Sequence, residues 1–178
     1  MSVSIPSATQ IADYCIRYFA DHDPCTTPMK DEGNKPAANQ CAVRVSCALE
    51  SSSPGFLNGF SPQNRIHRNC SELPPHVLGA HELGQYLAQI CGTTYTNSKH
   101  VSISKMPRSY FLGRSGIIWF QQCYKTEKGI WSDHIDFWAG WHCMNEYLGI
   151  GAKENEKHTK ADLFERSRGP VMLFELKV

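Results

Sequence analysis

Apolar residues recur at helical spacing in the first half of the chain. Between Thr9 and Ala20, Ile11, Tyr14, Cys15, Tyr18 and Phe19 fall on one side of a helix, with Ser7 or Thr9 placed to cap it. In the run from Asn39 to Leu49, Ala42, Val43, Val45, Cys47, Ala48 and Leu49 cover most of the circumference of a helix. Only a narrow polar strip remains, at Arg44, Ser46 and Glu50, so this helix is expected to be buried against other elements. A third helix is predicted from Gly79 to Cys91, with Leu83, Tyr86, Leu87 and Ile90 on its apolar side and Gly92 ending it. The period then changes. Gly116 to Tyr124 is apolar and rich in aromatic and β-branched residues, Trp131 to Trp138 alternates, and Trp141 to Ile150 continues after a short turn. Pro170 to Val178 closes the sheet, and helices followed by antiparallel strands predict an α+β fold rather than alternating βαβ units.

Between these elements lie turn-rich stretches. Residues 21–38 hold Pro24, Pro28, Gly33 and Pro36 and read as an exposed loop, while Ser51 to Gly55 is a stop signal. The irregular region from there to Pro75 is long enough to be expected to frame a cleft. Residues 93–115 mix turn residues with two short strands, and Lys153 to Lys160 is a charged loop. A chain of 178 residues with 41% hydrophobic content supports one core, so residues 1–178 are expected to form a single domain.

Eighteen basic against seventeen acidic residues, with no long run of either sign, give no reason to expect nucleic acid or an anionic membrane surface as a partner. No run is long and apolar enough to span a bilayer, and Met1 to Ser7 lacks the charged and apolar regions of a cleavable signal. Eight cysteines contain no C-x-x-C pair, which argues against a zinc ribbon or finger, and neither a metal nor a cofactor is expected. The adjacent His142-Cys143 is the pair that a metal site with distant ligands would use. Disulfides fit the cysteine count better, with Cys15 and Cys25 flanking the first loop. This many cysteines without a signal suits a protein made in the cytosol and used outside it.

Cys41 is the candidate nucleophile. With Asn39 as N-cap it falls in the first helical turn, where the free amides and the positive end of the helix dipole favour a thiolate. A thiol also needs a base. His22, His67, His76, His100 and His158 lie in loops or beside prolines and charges and read as solvated surface residues, and His81 opens a helix. His134 instead sits on an alternating strand, sharing a face with Asp136 and Trp138 while Ile135 and Phe137 face the core. A two-residue turn at Ala139-Gly140 would set Trp138 opposite Trp141, Asp136 opposite Cys143 and His134 opposite Asn145. Cys41, His134 and Asn145 would then make a Cys-His-Asn set for acyl transfer, with Asp136 and Glu146 as the other candidate orienters of the imidazole.

The run Asn39-Gln40-Cys41-Ala42-Val43-Arg44-Val45-Ser46, followed by His134-Ile135-Asp136-Phe137-Trp138, resembles the paired Cys-Ala-Ile/Val-Arg-x-Ser and His-Ile-Asp-Leu/Phe-Trp motifs of the type VI secretion amidase effectors. Those proteins are papain-like cysteine amidases related to the NlpC/P60 peptidases. The resemblance covers both blocks, their order and the chain length, but not residues 51–115. It implies a papain-like fold in which helices pack on an antiparallel sheet and a nucleophilic cysteine starts a buried helix. It implies hydrolysis of an amide bond in the peptide stem of peptidoglycan, either γ-D-glutamyl to diaminopimelate or the cross-link to D-alanine, in the periplasm of a neighbouring cell. Its place in the motif makes Cys41 the nucleophile and His134 the base, and the family's third residue, usually an acid one hairpin beyond, falls at Asn145-Glu146. The secretion machinery and an immunity protein that plugs the cleft are the implied partners.

The helix-start amides of Cys41 and Ala42 are the expected oxyanion donors, and Trp138 is a candidate for lining the substrate groove. Arg44 suits a structural ion pair better than a substrate carboxylate. Two rival readings stand beside this one. The same Cys-His pair would serve an acyltransferase or a protease on protein substrates. A disulfide-braced binding module would instead bridge Cys41 to Cys47 or Cys70.

Overall fold

The structure is a computed structural model that describes residues 5–20, 24–26, 40–61, 65–68, 70, 73–91, 95–96, 107–126, 129–144 and 163–176. In chain order the elements are α1 (Ala8–Ala20), α2 (Cys41–Ser52), a 3-10 turn (Phe56–Gly59), β1 (Ile66–His67), β2 (His76–Val77) and α3 (Ala80–Ile90). There follow β3 (Tyr95–Thr96), a second 3-10 turn (Arg108–Phe111), β4 (Ser115–Lys125), β5 (Trp131–Ala139), α4 (Leu163–Arg166) and β6 (Val171–Glu175). Among the described residues, four strands form an antiparallel sheet in the order β3-β6-β4-β5, and β1 and β2 pair apart from it. The α+β expectation is met in this mixed form.

The helices follow their apolar spacing. Ile11, Cys15, Tyr18 and Phe19 are the buried side of α1, and Leu83, Tyr86 and Leu87 that of α3. α2 is buried along its length from Cys41 to Leu49, including the Arg44 and Ser46 of its polar strip. All three cover one face of the sheet, where Ile117, Trp119, Ile135, Phe137, Met172 and Phe174 meet them. The alternate residues, Ile118, Phe120, Trp138, Val171 and Leu173, build a second core on the other face with Phe111 and Phe164. Double burial explains why β4 and β6 read as unbroken apolar runs. α3 approaches the sheet closely at Gly84, where a Cβ would stand 2.2 Å from the Trp119 ring.

Two expectations are corrected. The region before Pro75 is not structureless. Glu50 accepts the Gly55 and Leu57 amides at 2.7 and 2.9 Å, which folds the chain back after α2, and Ile66 and His67 then pair with Val77 and His76. The two-residue turn after β5 is displaced by one residue from its expected place, to Gly140-Trp141, with Gly140 at a φ of 95°. Ala139 N–H donates to His142 O at 3.0 Å across it, and Trp138, not Asp136, bridges to Cys143. Within the sheet His134 is paired with Phe120 and Asp136 with Ile118. Asn145 and Glu146 lie outside the described residues, as do His22, His100 and His158.

Candidate active site

α2 begins at Cys41 itself. Gln40, not Asn39, holds the cap position, and Asn39 lies outside the described residues. The Gln40 side chain makes no capping bond because it is committed elsewhere: it accepts the Cys25 N–H at 2.7 Å and donates to the Cys25 carbonyl at 2.8 Å. The first intrahelical bond runs from Arg44 N–H to Gln40 O at 3.0 Å. Helix geometry therefore points the amides of Cys41, Ala42 and Val43 out of the helix start, an arrangement that favours a negative charge at this end.

β5 brings His134 to that helix start, where its imidazole hydrogen-bonds the Cys41 thiol. The Nε2 of the ring lies 3.4 Å from Oδ2 of Asp136, whose Oδ1 accepts the Phe137 N–H at 2.7 Å. Asp136 is fully buried. Burial of the ring opposes its charged form, but the hydrogen bonds and the negative charge that Asp136 and Cys41 offer outweigh it, and His134 is raised to about 10. The ring is therefore held protonated at neutral pH. Cys41 exposes 2% of its surface and the His134 side chain 14%.

Of the residues singled out in the sequence, Cys41, His134 and Asp136 are brought together. Trp138 is not part of the group. It is wholly buried in the second core, donates from Nε1 to the Phe111 carbonyl at 2.9 Å and packs edge-on against Phe164 at 5.6 Å, so the expectation that it lines a groove is corrected. Arg44 is 5% exposed, with its guanidinium 6.0 Å from the centre of the Phe19 ring, as suits a structural role.

All eight cysteines fall among the described residues and all are thiols, which removes the disulfide-braced module. The suggested Cys15–Cys25 bridge fails because the two sulfurs serve different neighbourhoods. Cys25 faces His67 Nδ1 at 3.6 Å, whereas Cys15 is buried beneath α1 near the charge of Asp136. Cys15 and Cys47 are each pushed well up, first by burial and then by neighbouring groups, and are packing thiols. His67 and His76 are not the solvated residues expected from their loops. His76 is fully buried, His67 is half-buried, and both lie beside Cys25.

Sequence reasoning missed two supporting residues. Asp133 accepts the Gln122 N–H at 2.9 Å, the Trp119 indole N–H at 3.0 Å and His81 Nδ1 at 2.9 Å. These bonds fix a bulge in β4, where Gln122 has φ 50° and the register shifts between Phe120 and Tyr124, next to the Phe120–His134 pair. The signal was there: Asp133 shares the strand parity of the core-facing Ile135 and Phe137, where a carboxylate has to be satisfied internally. The other is Ser46, whose Oγ donates to the Ala42 carbonyl at 2.6 Å and accepts the Val77 N–H at 2.9 Å, tying α2 to β2.

The solved structures that this fold resembles include the effector–immunity system Tae4/Tai4 from Salmonella typhimurium, at 15% identity and a TM-score of 0.63, covering 97% of this chain and 99% of that one. The Tae4–Tai4 complex from Enterobacter cloacae aligns at 16% identity and a TM-score of 0.63, covering 98% and 100%. The Enterobacter cloacae effector Tae4 aligns at 16% identity and a TM-score of 0.59, covering 99% and 100%. No curated protein matches the chain by sequence. The family model for type VI secretion system (T6SS) amidase effector protein 4 matches residues 37–168, a span that runs from just before Cys41 to beyond α4. The chain belongs to this family of type VI secretion amidase effectors.

Proposed function

We propose that the chain is a cysteine amidase that cleaves an amide bond in the peptide stem of peptidoglycan, with Cys41 as nucleophile and His134 as acid and base. The observation that carries this reading is the hydrogen bond between the Cys41 thiol at the first position of α2 and an imidazole backed by buried Asp136. The thiolate attacks the scissile carbonyl carbon. The oxyanion that forms is met by the first-turn amides of Cys41 and Ala42, which need no reorganisation to receive it. His134 gives its proton to the leaving amine, so the products at this stage are a free amine and a thioester on Cys41. Water, deprotonated by His134, hydrolyses the thioester and restores the pair, each proton transfer contributing roughly 10²- to 10⁴-fold.

Asp136 is the orienter in this scheme, its carboxylate lying 3.4 Å from the ring, while Asn145 and Glu146, the other candidates, lie outside the described residues. The bond cut is either γ-D-glutamyl to diaminopimelate or the diaminopimelate to D-alanine cross-link, in the periplasm of the cell that receives the effector. Two of the neighbouring structures, from Salmonella typhimurium and Enterobacter cloacae, hold Tae4 with an immunity protein, Tai4. A cognate immunity protein that closes the approach to Cys41 follows for this chain. The test is digestion of purified sacculi with mass identification of the fragments, which separates the two bonds. Cys41→Ala and His134→Ala, each checked for native secondary structure, are expected to release no fragments. Wild-type release by a folded Cys41→Ala protein would overturn the mechanism.

A further inference from the structure

Outside the Cys41–His134 pair, the molecule holds a second cluster of soft and borderline ligands whose members come from three separate segments. The sulfur of Cys25, Nδ1 of His67 and Nε2 of His76 lie within 4.8 Å of one another. The two imidazole nitrogens are 3.3 Å apart, and Cys25 Sγ is 3.6 Å from His67 Nδ1. A tetrahedral zinc ion with Zn–N of about 2.05 Å and Zn–S of about 2.3 Å has edges of about 3.3 Å between nitrogens and about 3.6 Å between nitrogen and sulfur. These two edges are those of a ligand set around one ion, and the third, between Cys25 and His76, stays within 4.8 Å.

The proton inventory points the same way. His76 Nδ1 lies 2.9 Å from the Pro74 carbonyl, which has no proton to give, so Nδ1 carries the ring hydrogen and Nε2 presents a lone pair to the cluster. A histidine whose second nitrogen donates to a backbone carbonyl is the usual form of a metal ligand. His67 Nδ1 has two neighbours, the sulfur and His76 Nε2, but only one proton or one lone pair to offer them. Hydrogen bonding satisfies one of these contacts at the expense of the other. A cation at the centre accepts all three lone pairs at once.

We propose that Cys25, His67 and His76 bind a divalent transition metal of the zinc class, with water at the fourth position on the half-exposed side of His67. One thiolate and two imidazoles favour zinc over magnesium or calcium, which prefer oxygen. On binding, the Cys25 sulfur gives its proton to solvent and forms the metal–sulfur bond. The site is structural in its reach. Gln40 grips the main chain of Cys25 just before Cys41, and Ser46 of α2 holds Val77 next to His76, so the ion would clasp both anchors of the α2 start. It stands independently of the role proposed for Cys41 and His134.

The test uses the full chain with Cys41→Ala, which removes the other thiol–imidazole pair from competition, and cobalt(II) as a spectroscopic substitute for zinc(II). One equivalent of cobalt is expected to give a thiolate-to-cobalt charge-transfer band that zinc displaces. The band should vanish in Cys25→Ser, and the affinity should fall at least tenfold in His67→Gln. A second measurement needs no change within the cluster: zinc should protect Cys25 from alkylation, read by peptide mass spectrometry, while leaving Cys91 unprotected. Absence of the band, its survival in a folded Cys25→Ser protein, or equal alkylation of Cys25 with and without zinc would overturn the proposal.

Discussion

Replacing Asp136 with asparagine isolates what the buried carboxylate does for His134. Asp136 uses its two oxygens as acceptors, one for the Phe137 N–H at 2.7 Å and one for the imidazole Nε2 at 3.4 Å. An asparagine fills the same volume but has one acceptor oxygen, so either the main chain or the ring is left facing an NH₂ group. The negative charge is lost in both orientations. His134 stands at about 10 where an ordinary histidine stands at 6.5. At 1.36 kcal/mol per pH unit that is about 5 kcal/mol in favour of the imidazolium. Asp136 and Cys41 supply it against the cost of burial, the hydrogen bond to Asp136 first among the groups that raise the ring. A hydrogen bond to a charged group is worth about 1.5–3 kcal/mol, and losing it predicts a fall in kcat/KM of roughly 10- to 150-fold.

The assay is initial-rate hydrolysis of a soluble stem-peptide fragment across pH, followed by chromatography of the released amine. The alkaline limb, where the imidazolium gives up its proton, should move to lower pH in Asp136→Asn because the ring has lost one of its two charged partners. Rates within twofold of the parent together with an unmoved alkaline limb would refute the assignment and return the orienting role to Asn145 or Glu146.

Three further outcomes follow from the same geometry. His134 is higher in the folded state than in the unfolded chain, so its contribution to stability is full below about pH 6.5 and is lost as pH rises through about 10. Cys41→Ala removes one of the groups that raise it, and thermal melts of that variant should decline less steeply over this range than those of the parent. Gly84→Ala sets a methyl 2.2 Å from the Trp119 ring and is expected to cost about 1–3 kcal/mol of overpacking, lowering Tm by roughly 2–10 °C in thermal denaturation. Ser46→Ala leaves the buried Val77 N–H without its acceptor, a loss of about 1–3 kcal/mol, and hydrogen exchange at the Val77 amide should quicken more than exchange in β4.

Local pattern made the helices and the doubly buried strands legible, because each is encoded in the spacing of its own residues. The 3.6-residue stripes of α1 and α3 and the apolar runs of β4 and β6 needed no tertiary information. The Cys41–His134 pair was legible for another reason: the helix start and the strand parity are local, and each carried a short motif. What failed was whatever depends on distant partners. The two-residue turn was placed at Ala139-Gly140, yet it forms one residue later, where Ala139 N–H reaches His142 O, so the register that placed Asn145 opposite His134 did not form. Trp138 shares the parity of His134, but the Phe164 that buries it arrives from α4. Likewise no spacing rule joins Cys25 to His67 and His76, which meet only after β1 has paired with β2.

The position of His134 depends on two carboxylates with opposite parities. Asp136 meets the ring directly, and Asp133 holds the strand beneath it by bonding across to Gln122, Trp119 and His81. The bulge at Gln122 adopts a left-handed φ of 50°, which a glutamine takes up only when its surroundings impose it. Asp133 supplies that constraint by accepting the Gln122 amide that the bulge withdraws from the β4–β5 ladder. A slip of one residue along β5 would present Ile135 to the Cys41 sulfur and bury His134 among the helices, so the bulge and its carboxylate fix the register on which the imidazole depends. Asp133 is thus a positioning residue that acts at the level of strand pairing. Its consequence for the site is that the thiol and the ring meet without any residue of the α2 start needing to move.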